Sequence, residues 1–402
     1  MVCRELPLHI LIAPSWYPAH PGDINGVFFR EQALALAKHG RKVGVIYPHL
    51  WSLRAWKSIL SGKRGIELET DAGLPTMRSH GVNWFPRIRR AQHWLWRSHG
   101  LRLYQRYVDQ HGRPDIIHVH AMLNAGALAL AIQRRYGVPF VVTEHFSGYA
   151  RGAVRGDRLR IARAVARRAA RRFAVSRPFC DLLEGLLGTG PASWEEMPNI
   201  VEQRFLERSL RERNRPKDHF RFVNVALLTE NKGIENLIRA FAKTFAEEAD
   251  VTLDVGGDGP ERLRLEAIAA ELGVAGRVRF LGALDRDQVA DVVAASDAFV
   301  LASRYETFGV VVIEALALGK PVIATRCGGP DAIVRKQDGL QVPPDDIDAL
   351  ASAMRWLRAN ADQYNPDSIR AGCRKRYSEK AVTDRLTQVY QDVVRHSDTG
   401  AP

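Results

Sequence analysis

Two rounds of the same alternation run through this chain, and they restrict its fold more than any other feature. Short β-rich runs at residues 9–13, 42–47, 115–120, 140–143 and 173–176 alternate with helical patterns such as 28–39 and 126–136. A second set of runs, at 222–228, 251–256, 278–281, 298–301 and 321–325, alternates with helical patterns at 234–245, 261–272 and 287–295. This is the rhythm of parallel sheets with crossover helices. Between the sets lie Pro198-Asn-Ile-Val201 and a charged segment, 202–219, that includes Arg211-Glu-Arg-Asn-Arg-Pro-Lys217 and has little apolar periodicity. The linker is placed there. A chain of 402 residues, 46% of them hydrophobic, is long enough for two domains with separate cores. The expectation is an α/β protein of two doubly wound domains, 1–200 and 218–378, facing across a cleft with ligands at the C-terminal ends of the strands.

One stretch carries chemistry: Ser303-Arg-Tyr-Glu306-Thr-Phe-Gly309-Val-Val-Val-Ile-Glu314-Ala-Leu-Ala-Leu-Gly319-Lys-Pro321. Residues 298–302 read as a buried strand, and Gly319 followed by Lys320-Pro321 stops a short buried helix that starts at Val310. That helix carries a single carboxylate, Glu314, in an otherwise apolar run. A carboxylate left in apolar surroundings without donors costs several kcal/mol or takes up a proton, so Glu314 is expected to face a hydroxyl-rich ligand. The helix start at Thr307-Phe308-Gly309 offers backbone N–H groups and the positive end of the dipole to a phosphate. Asn231-Lys232-Gly233 follows the first strand of the second set, at the mouth where a diphosphate would lie, and a flexible ammonium suits that contact. Gly256-Gly-Asp-Gly-Pro260 makes a second glycine turn.

The spacing of Glu306 and Glu314 around Phe308-Gly309 resembles the E-x7-E signature of the retaining nucleotide-sugar glycosyltransferases of family 4, and the Lys232-Gly233 turn, the Gly256–Pro260 turn and Gly328-Gly-Pro330 fall where that family has them. The resemblance implies the GT-B fold, two Rossmann-like domains, with a last helix at about 379–395 crossing back onto the first. It implies that Glu314 binds the ribose of the donor and Glu306 the hydroxyls of the donor sugar. Lys232 and the amides of Thr307, Phe308, Gly309 and Val310 would hold the diphosphate, with Gly257 lining the donor site. His145, in Val141-Val-Thr-Glu-His145, resembles the family histidine that approaches the donor sugar. Gly22, Asn25 and Gly26 lie in the loop implied to approach the diphosphate and the acceptor, and His120 is expected on the acceptor side, with His118 packing. His145, Glu306 and Lys232 are the expected catalytic group. In the front-face mechanism the family implies, the leaving phosphate takes the acceptor proton and no protein base is needed. Two departures stand out: Leu227 occupies a position where the family often has Arg, and Ser15-Trp-Tyr-Pro18 replaces a glycine loop near the N-terminus.

No metal or other cofactor is expected. Asp285-Arg-Asp287 spells DxD, but Asp285 followed by Gln288 reads as a helix capping box. His118 and His120 could share a metal by spacing, yet no third ligand is apparent. Four scattered cysteines without a CxxC pair fit a reducing compartment. No apolar run approaches the roughly 20 residues needed to cross a bilayer. A formal net charge of +13 predicts an anionic partner, whether acidic lipids, a phosphorylated acceptor or nucleic acid. Trp84, Trp94 and Trp96 interleave with Arg87, Arg89, Arg90 and Arg97, and in the arginine-rich stretch 155–172 a helical wheel sets Arg160, Arg163, Arg167, Arg168 and Arg171 opposite Ile161, Val165, Ala166 and Ala169. Basic residues mixed with aromatics suit a membrane interface. The expectation is a cytoplasmic enzyme, peripheral at the inner face of the plasma membrane, that moves a sugar from a nucleoside diphosphate donor to a glycan or lipid-linked glycan in bacterial cell-surface polysaccharide or lipopolysaccharide synthesis. A GT-B epimerase or phosphorylase is the alternative enzyme class. A nucleic-acid-binding protein is suggested by charge alone, without a motif, and a dinucleotide oxidoreductase lacks its GxGxxG.

Overall fold

The computed structural model describes residues 7–19, 23, 25–53, 65–85, 87–188, 193–209 and 219–398. Gly22, Cys3 and the charged run 211–217 lie outside them. The chain divides into one unit of Met1–Pro198 with Val382–Pro402 and a second of Asn199–Ala381.

The first unit is built on β1 (His9–Pro14), β2 (Lys42–Trp51), β3 (Gly65–Asp71), β4 (Leu74–Val82), β5 (Ile116–His120), β6 (Phe140–Glu144), β7 (Arg171–Ala174) and β8 (Glu195–Glu196). These form one sheet in the order β3-β4-β2-β1-β5-β6-β7-β8. Every pairing is parallel except the β3/β4 hairpin at one edge. The central strands β1, β5 and β6 are buried throughout. The hairpin turns at Ala72-Gly73, both with positive φ, which suits the right-handed twist of a two-residue hairpin. Sequence patterning missed it because β3, Gly-Ile-Glu-Leu-Glu-Thr-Asp, carries the charges of a solvated edge rather than an apolar run.

The second unit holds β9 (Phe220–Val225), β10 (Val251–Gly256), β11 (Val278–Gly282), β12 (Ala298–Leu301), β13 (Val322–Thr325) and β14 (Gly339–Val342). The sheet is fully parallel in the order β11-β10-β9-β12-β13-β14. The helix Ile234–Phe245 shows why it covers this sheet: Ile234, Leu237, Ile238, Phe241 and Phe245 repeat at three and four residues and are all buried. Each such side chain contributes about 1.5–3 kcal/mol by leaving water. Connections leave β9 and β12 in opposite directions across the sheet, so the loops at their C-terminal ends part and leave a crevice. β14 and the helices Ile347–Ala359 and Pro366–Tyr377 complete this unit beyond the elements expected from sequence.

The last helix, Glu379–Asp398, packs with the first unit from Val382 onward. Its Tyr390 hydroxyl lies 2.6 Å from His118 Nδ1, and Arg41 Nε donates to Thr387 Oγ1 at 3.2 Å. Two expectations about the basic patches are corrected. Trp96 is buried in the core, because it lies on the inner face of the helix Arg89–His111. Arg171 is not on the arginine-rich helix, which ends at Arg168; it sits on β7 and holds Glu195 with two hydrogen bonds of 2.8 and 2.7 Å. No helix among the described residues is long and apolar enough to cross a membrane.

Candidate active site

The crevice of the second unit is built from two loops that glycine lets approach. After β9, Gly233 has φ 63°, and a Cβ there would lie 2.1 Å from the Ala302 carbonyl oxygen. Asn231 ties the turn to the loop after β12: its carbonyl accepts from Arg304 N at 2.8 Å and its amide donates to the Tyr305 carbonyl at 3.0 Å. Between these fastenings, Lys232 Nζ donates to Glu306 Oε1 at 2.6 Å, and Ser303 Oγ donates to the same oxygen at 2.8 Å. Both charged side chains keep some exposure, 26% for Lys232 and 15% for Glu306.

Glu306 is also held from behind. Its N–H donates to the Cys327 carbonyl and its own carbonyl accepts from Gly329 N, at 2.8 and 2.9 Å. A Cβ at Gly329 would come within 2.3 Å of the Phe308 backbone, which gives Gly328-Gly329 a packing reason. Gly309, φ 96°, precedes the helix Val310–Ala317 with no side-chain cap; the Val312 amide donates to the Gly309 carbonyl at 2.9 Å, and the first amides of the helix lie before the i→i−4 ladder begins. Thr307 and Val310 are half-buried at this start. The Phe308 side chain instead packs inward, edge-on to Tyr377 at 5.9 Å, leaving only its backbone for a ligand.

Glu314 is 1% exposed, and its partner was not read from the sequence. Arg286 Nη2 donates to Glu314 Oε1 at 2.5 Å, while its Nε donates to Glu202 Oε1 at 2.6 Å. The guanidinium lies over the Phe205 ring, 4.9 Å from its centre. The expectation that a ligand supplies Glu314's partner is thus corrected for one oxygen; Oε2 is buried with no partner among the described residues. Burial pushes the Glu314 carboxyl up from its ordinary range, with Arg286 opposing. Arg286 is the middle residue of the DxD. Asp285 caps its helix, accepting from Asp287 N and Gln288 N while Gln288 returns a bond to Asp285 N, and this fixes Arg286 at the helix start. The signal in the sequence is a lone Arg between two acids at a helix start.

The Gly257 amide donates to the Gly282 carbonyl at 2.7 Å, and at φ 122° a Cβ there would sit 1.8 Å from the Ala226 carbonyl oxygen, so close backbone packing gives this position its glycine. Leu227 is exposed. Among the described residues no group of three or more His, Cys, Asp or Glu could hold a metal ion.

In the first unit, order reverses between β1 and β5, and the residues leaving those strands carry the histidines. His118 and His120 share one face of β5, as alternate strand residues must. His118 Nε2 is 2.8 Å from Thr143 Oγ1, the two rings are 4.1 Å apart, and His120 Nδ1 is 3.2 Å from His145 Nε2. Phe29 stacks on His120 at 4.8 Å and Phe28 on His145 at 5.3 Å. Burial lowers His118 and His145 to about 3 and His120 well below its ordinary value, so all three are neutral imidazoles. His120 has no exposed surface, so it meets a ligand only through His145, whereas an acceptor-side contact had been expected. His120 Nε2 and His145 Nδ1 have no partner among the described residues. Two neutral rings sharing one proton between them leave one outer nitrogen as a donor and the other as an acceptor.

Glu144, next to His145 in the chain, fixes this corner. Its buried carboxylate accepts from Met122 N at 2.8 Å and from His145 N and Phe146 N at 2.9 Å, and burial raises it to about 7 despite those bonds. Ser15 Oγ donates to the Ala121 carbonyl at 2.7 Å and accepts from Asn124 N and Ala125 N. Ala121 itself has φ 62°, a strained conformation of the kind that collects at functional sites. Gly26, φ 76°, opens the helix Val27–Lys38, where a Cβ would lie 2.8 Å from the Trp16 carbonyl oxygen. Asn25 is exposed beside it and donates to Asp23.

Known proteins share this framework. Residues 26–199 match the glycosyl transferase 4-like domain and residues 207–372 match the glycosyl transferases group 1 family. The chain is 30% identical over 301 residues to a glycogen synthase of Mycobacterium tuberculosis (strain CDC 1551 / Oshkosh), covering 72% of each chain. It is 37% identical over 180 residues to the lipopolysaccharide core biosynthesis glycosyltransferase LpsD of Rhizobium meliloti (strain 1021), covering 44% of this chain and 50% of that one. The structure of Anabaena HepE in complex with UDP and glucose superposes with a TM-score of 0.69 at 19% identity, covering 96% of this chain and 100% of that one. With both sheets doubly wound and relatives of this kind along its length, the chain belongs to the GT-B glycosyltransferases of the family 4 type.

Proposed function

We propose that this enzyme transfers a hexose, with retention of configuration and without a metal, from a nucleoside diphosphate sugar to a hydroxyl of a glycan or lipid-linked glycan. The observation that carries the reading is the second unit's crevice: the Lys232–Glu306 pair beside the uncapped helix start at Gly309, with Glu314 Oε2 buried and unpartnered nearby in sequence. Lys232 and the amides at 307–310, before and at the helix start, neutralise the leaving diphosphate by electrostatic stabilisation. Once phosphate engages Lys232, Glu306 is released to accept from sugar hydroxyls, while Arg286 keeps Glu314 aimed so that Oε2 accepts from a ribose hydroxyl. The first unit contributes His145 as a neutral, oriented polar group for substrate. The HepE complex with UDP and glucose supports a uridine diphosphate sugar as the first donor to try, and LpsD supports an acceptor in cell-surface polysaccharide synthesis. The net charge of +13 supports a peripheral position at the anionic inner face of the plasma membrane.

Calorimetric titration with UDP tests the site. Lys232→Ala and Glu314→Gln each remove a charged hydrogen-bond partner worth about 1.5–3 kcal/mol, which corresponds to binding weaker by about 10- to 100-fold. Unchanged affinity in both folded variants would remove the proposed donor site.

A further inference from the structure

Away from both sites, three helices of the first unit line one groove of about 440 Å³. Each of the helices Arg89–His111, Ala127–Tyr136 and Asp157–Arg168 contributes residues at i, i+3, i+4 and i+7, the spacing of a single helical face. The groove is two-natured. Leu130, Ile161 and neighbouring alanines give it an apolar floor, while Arg90, Arg97, Arg134 and Arg160 stand over it. The one carboxylate among its lining residues, Asp157, engages Arg90 and Arg160, so four arginines against one acid leave a lining charge of +3. Arg97 and Arg134 have no acidic partner among the described residues.

The groove opens beside an exposed apolar run. Trp84, Phe85, Ile88 and Trp94 are 65%, 39%, 58% and 56% exposed, and Trp94 belongs to both features. Tryptophans at that exposure beside arginines match the composition of membrane–water interfaces. A water-soluble anion needs the arginines but not the apolar floor; a lipid phosphate uses both, its head between the arginines and its first methylenes on Leu130 and Ile161. We propose that this groove seats the phosphate head and proximal hydrocarbon of one anionic membrane lipid, and so sets which face of the enzyme meets the bilayer. The proposal rests on the peripheral-membrane reading above and adds to it a defined lipid site.

The test sediments the full-length protein with vesicles of phosphatidylcholine alone or mixed with phosphatidylglycerol, at 0.1 M salt. The wild type is expected in the pellet only with phosphatidylglycerol. Arg97→Gln/Arg134→Gln, which leaves the fold's ion pairs untouched, should weaken that binding about 30-fold, since each basic side chain at an anionic surface is worth about a factor of five. Arg167→Gln/Arg168→Gln removes the same charge from positions outside the groove and should change binding little. Trp94→Ala should leave binding weaker at 1 M salt, where charge is screened. Equal losses in both double variants would mean diffuse charge attraction and overturn the groove. Equal binding of the wild type to both vesicle types, or none to either, would overturn it as well. UDP titration of the same preparations keeps the two readings apart: intact UDP binding without vesicle binding sinks the lipid site alone, and loss of UDP binding in the wild type sinks the donor site alone.

Discussion

Acid should destabilise the first unit through three histidines that it keeps neutral. His118 and His145 are held at about 3 and His120 well below its ordinary value by burial, while in the unfolded chain each titrates near 6.5. Stability from a depressed histidine is fully present above 6.5 and is lost as pH falls toward the folded value, because only the unfolded chain then takes up the proton. Between pH 7.5 and pH 5 each contributes a loss of about 2 kcal/mol, about 6 for the three. Glu144 works in the opposite direction. Burial raises it to about 7, so the folded state takes up its proton first on acidification and recovers about 2 kcal/mol over the same interval. The net loss is about 4 kcal/mol, a large part of the 5–15 kcal/mol that holds a typical protein folded. His145→Gln removes one titrating ring, so its loss over the interval should shrink to about 2 kcal/mol whatever its stability at pH 7.5. Urea denaturation at half-unit pH steps, followed by circular dichroism and tryptophan fluorescence, measures both curves. A wild-type transition that does not move between pH 7.5 and 5, or a variant with the same pH slope as the wild type, would refute the neutral buried cluster.

Arg286→Met should cost about 1.5–3 kcal/mol of stability, and the deficit should grow from pH 5 to pH 8. Without its cation Glu314 moves further above the unfolded carboxylate value, so ionisation opposes folding more strongly as pH rises. Thermal unfolding at the two pH values checks this, and a deficit independent of pH would show that Arg286 acts by packing on Phe205 instead. Sugar transfer, assayed by UDP release, should persist in EDTA, because Asp285 of the DxD caps a helix, Asp287 pairs with Arg204 and the phosphate contacts are assigned to Lys232 and amides. Activity lost to chelator and restored by magnesium or manganese would overturn the metal-free mechanism.

The sequence by itself determined the strand–helix alternation of both units, the helix from Val310 and the glycine turns at 231–233 and 307–309. Those are local matters: apolar runs state which backbone is buried, three-and-four spacing states which helix face is covered, and positive φ is tolerated where no Cβ exists. It also placed Lys232, Glu306 and Glu314 as chemistry-bearing residues, through their spacing and the family resemblance it carries. Which of them meet was decided by topology. Strand order puts β9 beside β12, and only then does Lys232 reach Glu306 across 74 residues of chain. In the same way the capped helix start brings Arg286 to Glu314, and the last helix brings Tyr390 to His118 across 272 residues. Hydrophobic periodicity records that a face is buried but not what it is buried against. A charge records its sign but not the partner that desolvation will force upon it. The three-helix groove, the Gly257 packing turn and the bond from Met122 N to Glu144 all depend on neighbours distant in sequence, and so they belong to the tertiary structure alone.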